Sequence, residues 1–208
     1  MIKNIIFDLG NVIIQNPNFD IVKIFFTEEN DAIIFNNYIF KSEFWKMMDL
    51  GLITNIEIAN IIKEQKLINV KNYNEIEDFM LNWFSKCIVN KNIMELGMKL
   101  KENGYKIYIL SNMAKETFEY FSNKYKFFSI VDGTIVSAYE GIKKPDSKIF
   151  EILLKKYSLN PEECLLIDDD DTNRTLEIAN TFGIKGRRVI ANNFDDIKCL
   201  LEENNIKI

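Results

Sequence analysis

Ile5-Ile6-Phe7-Asp8-Leu9-Gly10-Asn11-Val12-Ile13-Ile14 is the stretch on which the fold turns. The apolar run reads as a buried strand, and it ends in a carboxylate, Asp8, with Gly10-Asn11 close behind. Burying an unpaired carboxylate is strongly unfavourable, so the site must supply a partner such as a metal ion or a ring of donors. Much later a second apolar run, Cys164-Leu165-Leu166-Ile167, ends in Asp168-Asp169-Asp170-Asp171. Two strand-terminal acid sites in one small protein point to a shared cation-binding crevice.

Working outward, strand-like runs recur at Ile5–Phe7, Lys106–Leu110, Ile130–Val131 and Leu165–Ile167, with Arg188–Ile190 as a further candidate. Helix-period segments lie between most of them: Ile93 to Leu100, Lys115 to Tyr125, Ile149 to Tyr157 and Leu176 to Phe182. Gly104 and Gly183 read as helix ends. This alternation predicts an α/β fold, a doubly wound, Rossmann-like parallel sheet with its ligand crevice at the carboxyl ends of the strands. Asp8, Ser111 and Asp168/Asp169 each follow such a run, so one surface collects them.

Residues 15–85 break the alternation. They are rich in Phe, Ile and Asn at helical spacing, and Thr54 to Glu57 reads as a capping box before Ile58, Ile61 and Ile62. The expected organisation is a catalytic core of residues 1–14 and 86–208 with an inserted small helical cap domain, residues 15–85. Phe35, Tyr38, Phe40, Phe44 and Trp45 could line a substrate pocket, although aromatics at this spacing are more often the core of a small bundle.

Bulk composition narrows the chemistry. The chain has 208 residues, 47% of them hydrophobic and 27% charged, an ordinary globular balance. A net charge of −5 argues against a nucleic-acid binder that works by neutralising phosphates. No apolar run reaches membrane-spanning length, and Met1 leads into the first strand without a signal-peptide pattern. Cys87, Cys164 and Cys199, an odd and scattered set, fit a reducing cytoplasm better than a disulfide framework. There is no histidine. Ser-His-Asp and Cys-His catalysis are thereby excluded, and a catalytic zinc site is disfavoured. Chemistry here has to run on carboxylates, lysines, hydroxyls and hard cations.

Each candidate residue has a plain structural alternative. Asp8 is a nucleophile for an acyl-phosphate intermediate or a turn residue capping a nearby amide. Ser111-Asn112, at a strand-to-helix turn, forms an anion site or a simple helix cap. Lys144, its backbone restricted by Pro145, reaches into the crevice or stays a solvated loop charge. The run Asp168–Asp171 is harder to explain blandly, because adjacent carboxylates repel unless a cation neutralises them. A hard oxygen-ligand set suits magnesium, and the consecutive spacing is not that of a calcium loop.

Taken in order, these features resemble the haloacid dehalogenase superfamily, in its phosphatase branch with a helical cap after the first strand. The signatures are Asp8-Leu9-Gly10-Asn11-Val12, Ser111-Asn112, Lys144-Pro145 and Asp168-Asp169, and the likeness spans nearly the whole chain. The resemblance implies that Asp8 attacks phosphorus. It implies that Asp8, Asp169 and the Gly10 carbonyl bind Mg2+, with Asp168 in or beside the ligand set. Ser111, Asn112 and Lys144 would hold the phosphoryl oxygens, with Gly10 and Asn11 lining the substrate site. The expected partner is a small phosphorylated metabolite, with no nucleic acid or membrane involved, bound by a monomer or homodimer.

The sequence departs from the family pattern twice. The family's general acid stands two residues after the nucleophile, and here that position is Gly10. Sugar-phosphate phosphatases with an Asp-x-Gly-Asn-Val motif share this feature, so a sugar phosphate is the expected substrate; the loss removes a group worth about 10²–10⁴ in rate. In the fourth motif the family's Asn falls on Asn173 or Thr175 depending on the anchor, which leaves Asp170 and Asp171 as alternative ligands. A magnesium-dependent phosphatase leads the readings. A binding or regulatory protein disabled at Gly10, and a metal-free dehalogenase, are the competitors.

Overall fold

The computed structural model describes residues 1–170, 172 and 174–207. Its sheet is parallel throughout. Strand β1 (Asn4–Phe7) lies at the centre between β2 (Lys106–Ser111) and β4 (Cys164–Asp168). Strands β3 (Gly133–Val136) and β5 (Lys185–Arg188) form the edges, giving the order β3-β2-β1-β4-β5.

Strand alternation explains the layering. Ile5, Phe7, Ile107, Ile109, Leu165 and Ile167 face one apolar cluster, built with α6 (Lys91–Glu102), α7 (Lys115–Lys124) and α11 (Phe194–Glu203). Ile6, Tyr108, Leu110 and Leu166 face the other, packed by α9 (Ser147–Lys156) and α10 (Arg174–Thr181). Because both faces are buried, the central strands read as continuous apolar runs rather than alternating ones.

Between β1 and β2 the chain forms α1 (Phe19–Phe25), α2 (Glu29–Ile39), α3 (Glu43–Asp49), α4 (Asn55–Gln65) and α5 (Tyr73–Asn82), with no strand among the described residues. Their inner faces build a separate cluster that includes Phe35, Ile58, Ile62 and Phe79. The capping box is present: Glu57 N donates to Thr54 Oγ1, and Thr54 N donates to Glu57 Oε2 at 2.8 Å. Outgoing and returning chains pair where the helical segment joins the sheet, through an Ile14–Val89 bridge and a hydrogen bond from Gln15 N to Ile88 O. No helix among the described residues is long and apolar enough to cross a membrane.

Two strands sit differently from the sequence reading. The third was expected at Ile130–Val131 but runs from Gly133 to Val136. Ile130 instead closes a short 3-10 turn, and Asp132 ties the approach down by donating its N–H to Ile107 O. Gly133 is needed there because a Cβ would lie 2.3 Å from the Tyr157 ring, whose hydroxyl pairs with both Thr134 N and Thr134 O at the exposed edge. The last strand was expected at Arg188–Ile190 and instead is Lys185–Arg188. Lys-Gly-Arg-Arg carries no apolar signal, and edge strands do not need one.

The helical segment rests on the sheet at Gly51, which follows α3 with φ +67° and faces α8 (Ser137–Glu140). A Cβ at Gly51 would stand 2.2 Å from the Ala138 carbonyl oxygen, so backbone must move to admit it. Gly141 shares the same φ but has nothing within 4 Å of its Cβ position. Gly141→Ala should therefore cost only left-handed strain, about 1 kcal/mol, and Gly51→Ala at least twice that. Paired thermal melts check this, and equal losses would show that the Gly51 contact yields freely.

Candidate active site

In-register pairing brings the strand ends together. Phe7 lies beside Ile109 and Ile167, so Asp8 and Asp168 emerge at one level of the sheet with Ser111 a short step further on. Asp8, Asp168 and Asp169 each present an oxygen within 4.8 Å of the others. Lys144 reaches between them, its Nζ 3.1 Å from Asp8 Oδ1 and 2.6 Å from Asp168 Oδ2. It is only 5% exposed, far from a solvated loop charge.

Electrostatics follow from that burial. Desolvation pushes the Asp8 carboxyl up to about 6, with Lys144 pulling it down and Asp168 pushing it up again. Asp169 is likewise raised by burial and by Asp168, against the lowering effect of the Asn11 side chain. Lys144 is raised: burial disfavours its charge, but the neighbouring Asp168 and Asp8 carboxylates more than offset that. One lysine among three carboxylates leaves negative charge in excess, and an all-oxygen set of this kind fits a hard divalent cation such as magnesium.

Several side chains hold this group in place. Asp8 Oδ1 accepts from Leu9 N at 2.7 Å, and Asp168 Oδ1 from Asp170 N at 2.9 Å. Asn112 donates from Nδ2 to Lys144 O and accepts from Lys144 N at Oδ1, which clamps the loop that carries Lys144-Pro145. The Lys144–Pro145 bond is cis. Ser111 Oγ is fully buried beside Asp8 yet completes no hydrogen bond of normal geometry among the described residues. Asn11 adopts φ +51° and accepts from Asn16 N through its side chain, so it shapes the turn beside Asp169, on which its side chain also bears.

Above the carboxylates opens a cleft of about 650 Å³, lined by Asp8, Gly10, Asn112, Lys144, Asp168 and Asp169 below. The helical segment contributes Phe40, Trp45, Met48, Asp49 and Trp83 to the lining of the same cleft. The aromatic expectation thus divides: Phe40 and Trp45 reach the cleft, Phe35 is fully buried in the bundle core, and Tyr38 and Phe44 pack against that core.

Residues 2–174 match the haloacid dehalogenase-like hydrolase family. The chain belongs to that family. Among curated proteins it is 30% identical over 71 residues to a sesquiterpene phosphatase of Aspergillus oryzae, covering 34% of this chain and 36% of that protein. It is 27% identical over 137 residues to a drimenol cyclase of Aspergillus calidoustus, covering 64% of this chain and 25% of the other. The chain therefore spans little more than a third, at most, of these curated relatives. A solved HAD-family enzyme from Bacteroides thetaiotaomicron, in complex with magnesium and inorganic phosphate, superposes with TM-score 0.73 at 25% identity, covering 93% of this chain and 96% of that one. A HAD-like hydrolase from Porphyromonas gingivalis gives TM-score 0.73 at 19% identity, over 97% and 98% of the two chains.

Within this family member the fourth motif has a division of labour that the sequence left open. Asp170 turns away to cap α10: Oδ1 accepts from Thr172 N and Oγ1, and Oδ2 from Thr175 N at 2.8 Å. Burial would raise its carboxyl, but those bonds outweigh it and hold Asp170 down at about 2. Asp171 and Asn173, the other candidates in this loop, lie outside the described residues. Asp49 and Asn16 line the cleft and were not singled out from the sequence. Both come from tertiary docking of the helical segment, which leaves no local pattern.

Proposed function

We propose that this hydrolase is a magnesium-dependent phosphatase acting on a small phosphorylated metabolite, with sugar phosphates as the substrate class. The observation that carries the reading is the trio Asp8, Asp168 and Asp169 around Lys144 at the carboxyl ends of the central strands. Asp8 attacks phosphorus and becomes an aspartyl phosphate, which water then hydrolyses. Asp8 and Asp169 with the Gly10 carbonyl, and Asp168 beside them, would hold the cation. Bound there, it would neutralise charge on the transferring phosphoryl group. Lys144 supplies fixed positive charge, and the unpartnered Ser111 hydroxyl supplies a donor next to the nucleophile. Asn112 also positions Lys144, clamping its main chain through Oδ1 and one Nδ2–H. Its second Nδ2–H is a further donor at the cleft it lines.

The decisive experiment is phosphate release from a panel of small phosphorylated metabolites before and after chelation. Release should vanish in EDTA and return with added magnesium. Release that persists in EDTA, or chloride release from α-haloacids in its place, overturns the proposal. Gly10 motivates a second reading, a binding protein without turnover. A Cβ there would stand 2.8 Å from Asn16 Oδ1, so the space a side chain at this position would enter is already taken. Tight binding of magnesium and phosphate with no turnover on any compound would favour that reading.

A further inference from the structure

Phosphomonoester hydrolysis needs a proton for the departing alkoxide, and Gly10 cannot carry one. Among the described residues, the carboxylates lining the cleft are Asp8, Asp49, Asp168, Asp169 and Asp170. Asp8 is the nucleophile, Asp168 is bound to Lys144, Asp169 belongs to the candidate metal set, and Asp170 caps α10. Asp49 alone is supplied by the helical segment, and no other role in the cleft claims it.

The fold fixes Asp49 with some care. It is the last residue of α3, and its side chain is 15% exposed. Ser137 Oγ donates to Asp49 O at 2.5 Å while accepting from Met113 N at 3.0 Å, two residues past Ser111. The helical segment is thus linked, through one hydroxyl, to the loop that follows β2. Lys143 Nζ approaches Asp49 Oδ2 at 3.4 Å, beside the Lys144 that serves Asp8. The close seat of Gly51 on Ala138 holds the same turn against the core.

We infer that Asp49 is the general acid of this hydrolase, delivered by the helical segment in place of the missing side chain at Gly10. The inference rests on the phosphatase reading above. As Asp8 Oδ bonds to phosphorus and the P–O bond to the leaving group breaks, the Asp49 carboxyl passes its proton to the departing oxygen, releasing an alcohol. The Asp49 carboxylate then takes a proton from the water that attacks the aspartyl phosphate. The P–O bond to Asp8 breaks, inorganic phosphate leaves, and Asp49 is again neutral. Two opposed influences suit the carboxyl to that exchange: burial raises it, and Lys143, the one cation paired with it among the described residues, lowers it, with burial ahead.

The test is leaving-group dependence in Asp49→Asn, which keeps the size of the side chain and removes the donor. An aryl phosphate such as para-nitrophenyl phosphate departs without protonation, whereas an alkyl phosphate such as glycerol phosphate does not. For Asp49→Asn, kcat/KM on the alkyl phosphate should fall about 10²–10³-fold, while kcat/KM on the aryl phosphate, which reports only the steps up to loss of the leaving group, changes by less than about threefold; aryl kcat falls with the shared hydrolysis of the aspartyl phosphate. Asp49→Glu should restore part of the alkyl activity. Retained aryl kcat/KM also certifies a folded, magnesium-loaded site. Equal losses of kcat/KM on both substrates, or no loss on the alkyl phosphate, overturn the assignment of Asp49 while leaving the phosphatase reading intact. If the wild type releases phosphate from neither of these nor from any compound of the metabolite panel, the phosphatase reading fails first, and this one with it.

Discussion

Asp8→Asn is expected to reduce phosphate release by about four orders of magnitude or more, because an amide cannot form the acyl phosphate and no other group in the cleft can replace it. The protein should nonetheless fold. The amide oxygen of the substituted side chain would still accept from Leu9 N, and Lys144 would keep Asp168 at 2.6 Å. Stability should not fall, and the sign follows from burial. The folded-state Asp8 carboxyl lies near 6, above its ordinary value of 3.8, so the native state binds the extra proton between those values. Stability without metal therefore declines as pH rises through that window. Removing the charge removes the decline. In EDTA at pH 7, Asp8→Asn should melt at or above the wild-type temperature while releasing no phosphate. An inactive variant that melts well below wild type would mean that Asp8 is structural, and substantial residual turnover would remove it as the nucleophile.

That opposition between function and stability explains which parts of the site were legible in the sequence. A carboxylate at the end of a buried apolar strand is locally unfavourable, so Asp8 and Asp168 stand out against Ile5–Phe7 and Leu165–Ile167 without any knowledge of tertiary structure. Lys144 was marked only by Pro145, and its reach into the crevice depends on the Asn112 clamp, a contact across 32 positions of sequence. Asp49 carries no such mark. Its exposure, its partners Ser137 and Lys143, and its place on the cleft wall all come from how α3 docks. Edge strands were misplaced for a related reason. Gly133-Thr134 and Lys185-Gly186 pair through backbone, and the Tyr157 and Leu176 side chains close over the two glycines, so periodicity had nothing to report. The boundaries of the capped organisation remain our proposal, motivated by the pairing of Ile14 with Val89 and by the separate cluster around Phe35 and Phe79.

Lys144→Met should have the largest effect on stability. It leaves Asp8 and Asp168 buried side by side without their shared cation, and breaking such a group by removing one partner typically costs about 3–5 kcal/mol. The folded-state Lys144 is held above its ordinary value, so its contribution is fully present at pH 7 and is lost only as the solution becomes strongly alkaline. The deficit of the variant should shrink on acidification, since protonating a carboxylate removes the charge that Lys144 had neutralised. A divalent cation offers a second way to neutralise the same oxygens. Magnesium should accordingly raise the melting temperature of Lys144→Met by more than it raises that of the wild type, even though phosphate release stays impaired by about 10²–10³-fold for want of fixed charge at the phosphoryl group. Denaturant titrations of both proteins, in EDTA and in saturating magnesium, separate these terms. Equal magnesium shifts would show that cation and lysine do not share the Asp8–Asp168 charge. A variant as stable as wild type in EDTA would show that these carboxylates need no internal partner at all.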